Sequence, residues 1–248
     1  MKILNIENLN PQPLDKILTF CQNRLKNGEG AFLIPINPIK TIKARNNANF
    51  QDIINKADWV FPDSSGIRYA AAILHGSKIK QNPGYTVMFS LIKQAEQDKA
   101  TIFLLGTTDE ILQIAKDKIL KKHPGLTIAG MHNGFFQEED EPVIFDEISC
   151  LKPDYVFVAM GEYKQEIIID KIRQVHPNAI YLGVGGSIDL IAGRQPSPPK
   201  WVRKMGIEWL FRLIRQPFRF PRYKALPIFA FLVFKEKFWG QHTSPRSG

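Results

Sequence analysis

Residues 101–130, TIFLLGTTDEILQIAKDKILKKHPGLTIAG, set an apolar run, a glycine, a helix-patterned segment and a second short apolar run in direct succession. The spacing predicts a strand over 101–105, a turn at Gly106, a helix over 109–122 and a strand over 127–130. A strand that returns parallel to its neighbour needs a crossover longer than a hairpin, and a helix of this length supplies one. The pattern extends in both directions. Upstream lie a helix over 12–27 with Leu14, Ile17, Leu18, Cys21 and Leu25 on one face, a buried strand AFLIPI over 31–36, a helix-like segment over 39–56 and a strand over 58–61. Ser64, Ser65 and Gly66 then open a helix that runs through Leu74. Downstream come a helix-like segment over 143–151, a strand over 155–159, a helix opened by Lys164, Gln165 and Glu166, and a strand over 180–184. The expected fold class is α/β, a Rossmann-like and mostly parallel sheet with helices on both faces.

After Gly193 the composition changes to RQPSPPKW, which marks a boundary between a body over 1–194 and an appendage over 195–248. The two parts differ in charge. Residues 194–237 carry 11 Lys and Arg against Glu208 and Glu236, whereas residues 1–193 carry 21 basic and 22 acidic side chains. The net +9 of the 248-residue chain is therefore a property of its tail. Within the tail, GIEWLFRLIRQPFRFPRY over 206–223 interleaves Trp209, Leu210, Leu213 and Ile214 with Arg212, Arg215, Arg219 and Arg222. Apolar residues at helical spacing among guanidinium groups describe either a helix with a solvated basic face or a surface for anions: lipid headgroups, a diphosphate or nucleic acid. The longest apolar run, LPIFAFLVF over 226–234, falls short of the roughly 20 residues that span a bilayer. It fits a membrane surface or the flank of the body. At 44% hydrophobic content the chain can bury a large core, which excludes a disordered or fibrous protein. Cys21 and Cys150 have neither metal nor redox spacing and fit a reducing compartment, and no signal peptide is expected at the N-terminus.

Two places carry candidate chemistry. Asp63 ends the strand over 58–61, where open α/β sheets bind ligands, so it is read as a general base or, alternatively, as a helix cap. The turn in GVGGSIDLIAG, over 183–193, has the backbone freedom to approach a nucleotide diphosphate, or it is only a tight turn. It lacks the dinucleotide fingerprint and has no acidic residue at the ribose distance, which argues against a nicotinamide-dependent oxidoreductase.

Several separated pieces together resemble one family, the bacterial WecG/TagA/CpsF glycosyltransferases. They are Asn37 after the first strand, PDSSG over 62–66, PG over 83–84, LLG over 104–106, HPGLTIAG with NGFF over 123–136, PDYVFVAMG with KQE over 153–166, GVGGSIDLIAG over 183–193 and GIEWLFRLIRQPFRFPRY over 206–223. The pieces fall in order along nearly the whole chain, and the last two are the most specific. The resemblance implies an inverting, metal-independent transferase that needs no cofactor. Its reaction would move a sugar from a UDP-sugar donor to a polyprenyl-diphosphate-linked sugar, in the synthesis of cell-surface polysaccharide or teichoic acid. Such an enzyme would be cytoplasmic and peripheral on the inner face of the cell membrane; a homo-oligomer is compatible with the sequence. The resemblance also implies roles: Asp63 as catalytic base, Asn37 and Gln165 lining the donor and acceptor pocket, Gly185, Gly186 and Asp189 holding the nucleotide, and Arg212, Arg219 and Arg222 reaching the lipid diphosphate. The chemistry agrees, since an inverting transfer needs one carboxylate to take the acceptor proton and cationic or dipolar groups to receive the departing UDP.

The chain departs from the family pattern in loops expected to touch sugars or phosphates. Pro35 replaces a threonine, Gln81 an arginine, Thr86 an acid, Glu162-Tyr163 a Ser-Pro pair, and Ser197-Pro198-Pro199 an Arg-Ala-Pro. N-acetylmannosamine transfer therefore does not follow automatically, and a hexose or uronic acid donor also fits. The alternative from another class is an impaired family member serving as a membrane-bound binding or scaffolding subunit. Nucleic acid is not an expected partner: the tail's aromatics alternate with aliphatics at core spacing, and the body offers no second basic surface.

Overall fold

The computed structural model describes residues 1–195, 199–205, 208–215 and 220–239. Its elements run α1 (Leu14–Lys26), β1 (Ala31–Ile36), α2 (Pro38–Arg45), α3 (Ala48–Asn55), β2 (Trp59–Pro62), α4 (Ser65–His75), α5 (Gly84–Asp98), β3 (Thr101–Gly106), α6 (Asp109–Lys122) and β4 (Thr127–His132). There follow α7 (Glu141–Leu151), β5 (Tyr155–Ala159), α8 (Lys164–Val175), β6 (Ile180–Gly183), α9 (Ser187–Ala192), α10 (Lys200–Met205), α11 (Glu208–Arg215), α12 (Phe220–Tyr223) and α13 (Ala225–Trp239). The six strands form one sheet in the order β2-β1-β6-β5-β3-β4, and every neighbouring pair is parallel. This is the expected α/β, Rossmann-like architecture, and each anticipated strand is present.

The differences lie at element ends and have local causes. β2 starts one residue later than 58 because Asp58 turns its side chain to the sheet, where Oδ2 accepts from the N–H of Phe32 at 2.8 Å. β4 continues to His132 because the ladder with β3 persists to the pairing of Leu105 with His132. β6 stops at Gly183, two residues before the chain turns at Gly185 with φ 51°. The segment over 39–56 is two helices, not one. Asn47 breaks it by accepting from the N–H of Phe50 at 2.9 Å, so a polar side chain caps α3 instead of continuing α2. α7 begins at Glu141, with Pro142 in its first turn, a position where a missing N–H costs nothing.

Both faces of the sheet are covered, which explains why the central strands read as continuous apolar runs. All six residues of β1 are buried: Phe32, Ile34 and Ile36 join one core, Ala31 and Leu33 the other. β3 alternates likewise, with Phe103 and Leu105 on the first side and Ile102 and Leu104 on the second. α13 lies against α2 and α4, and its Phe229 and Val233 enter the first core. Pro227 is tolerated because it sits in the first turn of that helix. Among the described residues no helix is long and apolar enough to cross a membrane.

Parallel strands all leave the sheet at the same edge. The turns after β1, β2, β5 and β6 consequently bring Asn37, Asp63, Glu162 and Gly185 together.

Candidate active site

A cavity of about 580 Å³ opens at that edge, and Asn37, Asp63, Gln165, Gly185, Gly186 and Arg222 are among the residues that line it. The volume suits a small-molecule substrate. The N-termini of α2, α4, α5 and α8 also meet there, since Pro38, Ser65, Gly84 and Gln165 line the same space. Each N-terminus turns the positive end of a helix dipole to the cavity, so its floor favours anions.

Asp63 is half-buried. Its backbone N–H continues the β1 ladder to the carbonyl of Ile36 at 2.9 Å, and its Oδ1 accepts from the N–H of Gly84 at 2.6 Å. The helix that follows it in sequence is capped at Ser64, so Asp63 does not cap its own helix. It holds the first N–H of α5 instead, and Oδ2 has no hydrogen-bond partner among the described residues. A carboxylate fixed by one oxygen and available through the other is the arrangement that proton abstraction requires. The PG pair at 83–84 is the sequence signal for this contact, legible only once α5 is known to start beneath Asp63.

A buried polar network fixes the middle of the floor. Lys40 is 3% exposed, and its Nζ donates to Glu166 Oε1 at 2.7 Å and to the Pro35 carbonyl at 2.9 Å. Glu166 Oε1 also accepts from Gln165 Nε2 at 2.8 Å, and its Oε2 accepts from the N–H of Tyr163 at 2.7 Å. Gln165 Oε1 in turn accepts from the N–H of Gly185 at 3.0 Å, which ties α8 to the glycine turn after β6. Gln165 can lie there only because residue 183 is glycine: a Cβ at Gly183 would meet Gln165 Nε2 at 2.5 Å. Asn37 caps α2, its Oδ1 accepting from the N–H of Lys40 at 2.9 Å, while its Nδ2 stands 3.5 Å from Glu162 Oε1. Lys40 and Glu166 were not anticipated as site residues, and Glu162 was marked only as a departure from the family pattern in a loop expected to touch sugars or phosphates. Lys40 and Glu166 are 126 positions apart, and nothing in either local pattern announces a buried ion pair.

The other anticipated residues divide. Asp189 sits in the first turn of α9 between Ser187 and Leu190, which line the cavity although Asp189 does not. Arg222, in α12, lines both the cavity and a neighbouring groove of about 390 Å³ walled by Ile39, Phe50, Ala225 and Ile228. Phe211 and Arg215 of α11 and Phe229 and Val233 of α13 complete the roof. Arg219 and the side chain of Arg212 lie outside the described residues.

The family profile described as "Glycosyl transferase WecG/TagA/CpsF family" matches residues 1–243. The chain belongs to this family. Among curated relatives, a Staphylococcus aureus (strain MW2) protein is 32% identical over 91% of this chain and 87% of its own length. A Bacillus subtilis (strain 168) protein is 30% identical over 84% and 80%, and one from Bacillus spizizenii 29% identical over 86% and 82%. All three are named N-acetylglucosaminyldiphosphoundecaprenol N-acetyl-beta-D-mannosaminyltransferase. The protein is thus a glycosyltransferase by family, and the cavity with Asp63 in its wall is its candidate active site.

Proposed function

We propose that the transferase moves a sugar from a UDP-sugar onto the sugar of a polyprenyl-diphosphate-linked acceptor, with inversion at the anomeric carbon and without a metal ion. The observation that carries this reading is the Asp63 carboxylate, clamped through Oδ1 by Gly84 N–H and, among the described residues, without a hydrogen-bond partner at Oδ2 in the cavity wall. In the proposed step Oδ2 takes the proton of the acceptor hydroxyl as its oxygen bonds to the anomeric carbon. The bond from that carbon to the UDP oxygen breaks on the opposite side, and the electron pair leaves with UDP. The helix N-termini of the floor and Arg222 receive the negative charge that develops on the diphosphate. Gly185 and Gly186 hold the nucleotide side, with Asp189 next to it. Arg212 and Arg219 are assigned to the lipid diphosphate on the strength of the family resemblance.

The acceptor class is supported by the relatives, whose names specify a sugar linked through diphosphate to undecaprenol. Arg222 touches both the cavity and the apolar groove beside it, a junction suited to a diphosphate with its polyprenyl chain leaving along the groove. A peripheral seat on the inner membrane face agrees with the basic tail and with Phe231, Phe238 and Trp239, which are all exposed on α13. On this reading the body over 1–194 carries the base, and the appendage over 195–248 completes the site.

Asp63→Asn is the direct test. Asparagine keeps an oxygen for the Gly84 N–H but cannot take a proton, so turnover should fall by roughly 10²-fold or more while UDP binding and melting temperature are retained. Near-normal turnover by this variant would remove Asp63 from the base role.

A further inference from the structure

Glu162 presents a carboxylate to the cavity that the reaction above does not use. Among the described residues its Oε2 is buried with no hydrogen-bond partner, and its Oε1 has only the long 3.5 Å contact from Asn37 Nδ2. The side chain lines the same cavity as Asp63. Such a group stays buried at a cost unless something donates to it, because a desolvated acceptor without a partner forfeits its bonds to water.

The backbone holds the carboxylate in place. Tyr163, the next residue, has φ 78° and ψ −52°, a strained conformation for a side chain that bears a Cβ. Three contacts enforce it: Tyr163 N–H to Glu166 Oε2 at 2.7 Å, Asn47 Nδ2 to the Tyr163 hydroxyl at 3.0 Å, and the Tyr163 ring edge-on to Phe50 at 5.1 Å. Strain secured from three sides persists in the free protein, so the site is ready before a ligand arrives.

Position decides what the carboxylate meets. A diphosphate would not settle on it, since like charges repel. Across the sheet the order β2, β1, β6 sets Asp63 first, Asn37 next and the glycine turn at Gly185 last. An in-line displacement puts the anomeric carbon between base and leaving group, so the transferred sugar lies over β1 and β6; Asn37 stands there, and Glu162, although it follows β5, reaches across to within 3.5 Å of Asn37 Nδ2. We propose that Glu162 selects the transferred sugar: Oε2 accepts a hydrogen bond from a hydroxyl or amide N–H of a neutral sugar ring, and its charge turns away uronic acid donors. This rests on the reading of the chain as a UDP-sugar transferase and deepens it by naming the donor class.

The test compares wild type with Glu162→Gln and Glu162→Ser, using UDP alone, neutral UDP-hexoses, their N-acetylated forms and UDP-glucuronic acid. For the neutral donor that wild type uses best, kcat/KM should fall about 10- to 100-fold in both variants, the range expected for losing a hydrogen bond to a charged group. Affinity for UDP should change less than about threefold, the melting temperatures should match, and the preference for neutral donors over UDP-glucuronic acid should narrow by about tenfold or more. Variants that bind UDP and keep the wild-type order of sugars, or wild type that prefers the uronic acid, would overturn the inference alone. Wild type that fails to bind UDP would overturn the proposed reaction, and the inference with it.

Discussion

The floor of the cavity and its roof are built on opposite terms. In the floor, Lys40, Gln165 and Glu166 are all buried, and their polar atoms bond to one another or to the backbone at the ends of β1, β5 and β6. Such a network is over-determined and keeps one geometry whether or not substrate is present. The roof is mostly apolar, Arg215 apart, and only half covered. α13 buries Phe229 and Val233 against the body, yet Phe231 is 63% exposed, Phe238 65% and Trp239 66%. A helical stretch that is apolar all round, as α13 is up to Phe234, belongs in an interior or at a membrane surface, and among the described residues nothing covers its outer side. The floor supplies fixed chemistry, then, and the roof supplies a contact that depends on what covers its outer side.

The floor breaks hardest when half of its ion pair is removed. Lys40→Met leaves the Glu166 carboxylate buried without its cation, and losing one partner of a buried pair typically costs about 3–5 kcal/mol. The melting temperature should drop accordingly in a thermal unfolding experiment. Pairing it with Glu166→Leu should recover much of that stability, because an apolar pair of similar size avoids the stranded charge. Activity should not return with it: Tyr163 N–H and Gln165 Nε2 lose the acceptor that positions them. If the double variant regained turnover along with stability, the network would be structural only.

The roof is broken from outside. Phe231→Glu with Phe238→Glu leaves the inner side of α13 untouched, so the melting temperature should stay near that of wild type. Burying a phenylalanine is worth about 1.5–3 kcal/mol, and partial insertion of two rings predicts that binding to anionic vesicles weakens by roughly tenfold or more. Binding by the unaltered protein should also fall with added salt, since surface charges are screened within about 10 Å at 0.1 M. Vesicle cosedimentation that ignored both changes would sever the roof from the membrane.

The same contrast governs what was legible in the sequence. Parallel α/β topology is written in local patterns: runs such as AFLIPI are apolar because both sheet faces are covered, and the helices between them show their periodicity. Asp63 was legible because strand ends in this topology share one edge, whereas Asn37 and Gln165 were implied by the family resemblance. Lys40 and Glu166 were not, because two charged residues far apart in sequence look like solvated surface until the fold buries them together. The break at Asn46–Asn47 was missed for a subtler reason: an asparagine within an apolar periodic segment either continues the helix or caps the next one, and only tertiary packing decides. Glu162 was visible as a departure from the family pattern, but its orphaned Oε2 is a fact of packing.

The smallest expected effect lies far from both floor and roof, at the join of α5 and α6. Glu96 accepts from His123 Nδ1 at 2.6 Å and from the N–H of Gly125 at 3.1 Å. The His123 hydrogen bond holds its carboxyl below the usual carboxylate range, with burial working against the shift and the Gly125 bond reinforcing it. A carboxyl whose folded pKa is depressed stabilises the protein fully above its unfolded pKa of roughly 4.3 and loses that contribution as the pH falls through the lower, folded value. Wild type should therefore shed a little stability on acidification in that window, and Glu96→Gln should shed less while being slightly less stable at neutral pH. Because the pair is partly open to solvent, the change should be far smaller than that of Lys40→Met, and melting curves at stepped pH would measure both. An acid limb as steep in Glu96→Gln as in wild type would move this source of acid sensitivity elsewhere and leave the contact at the α5–α6 join energetically silent.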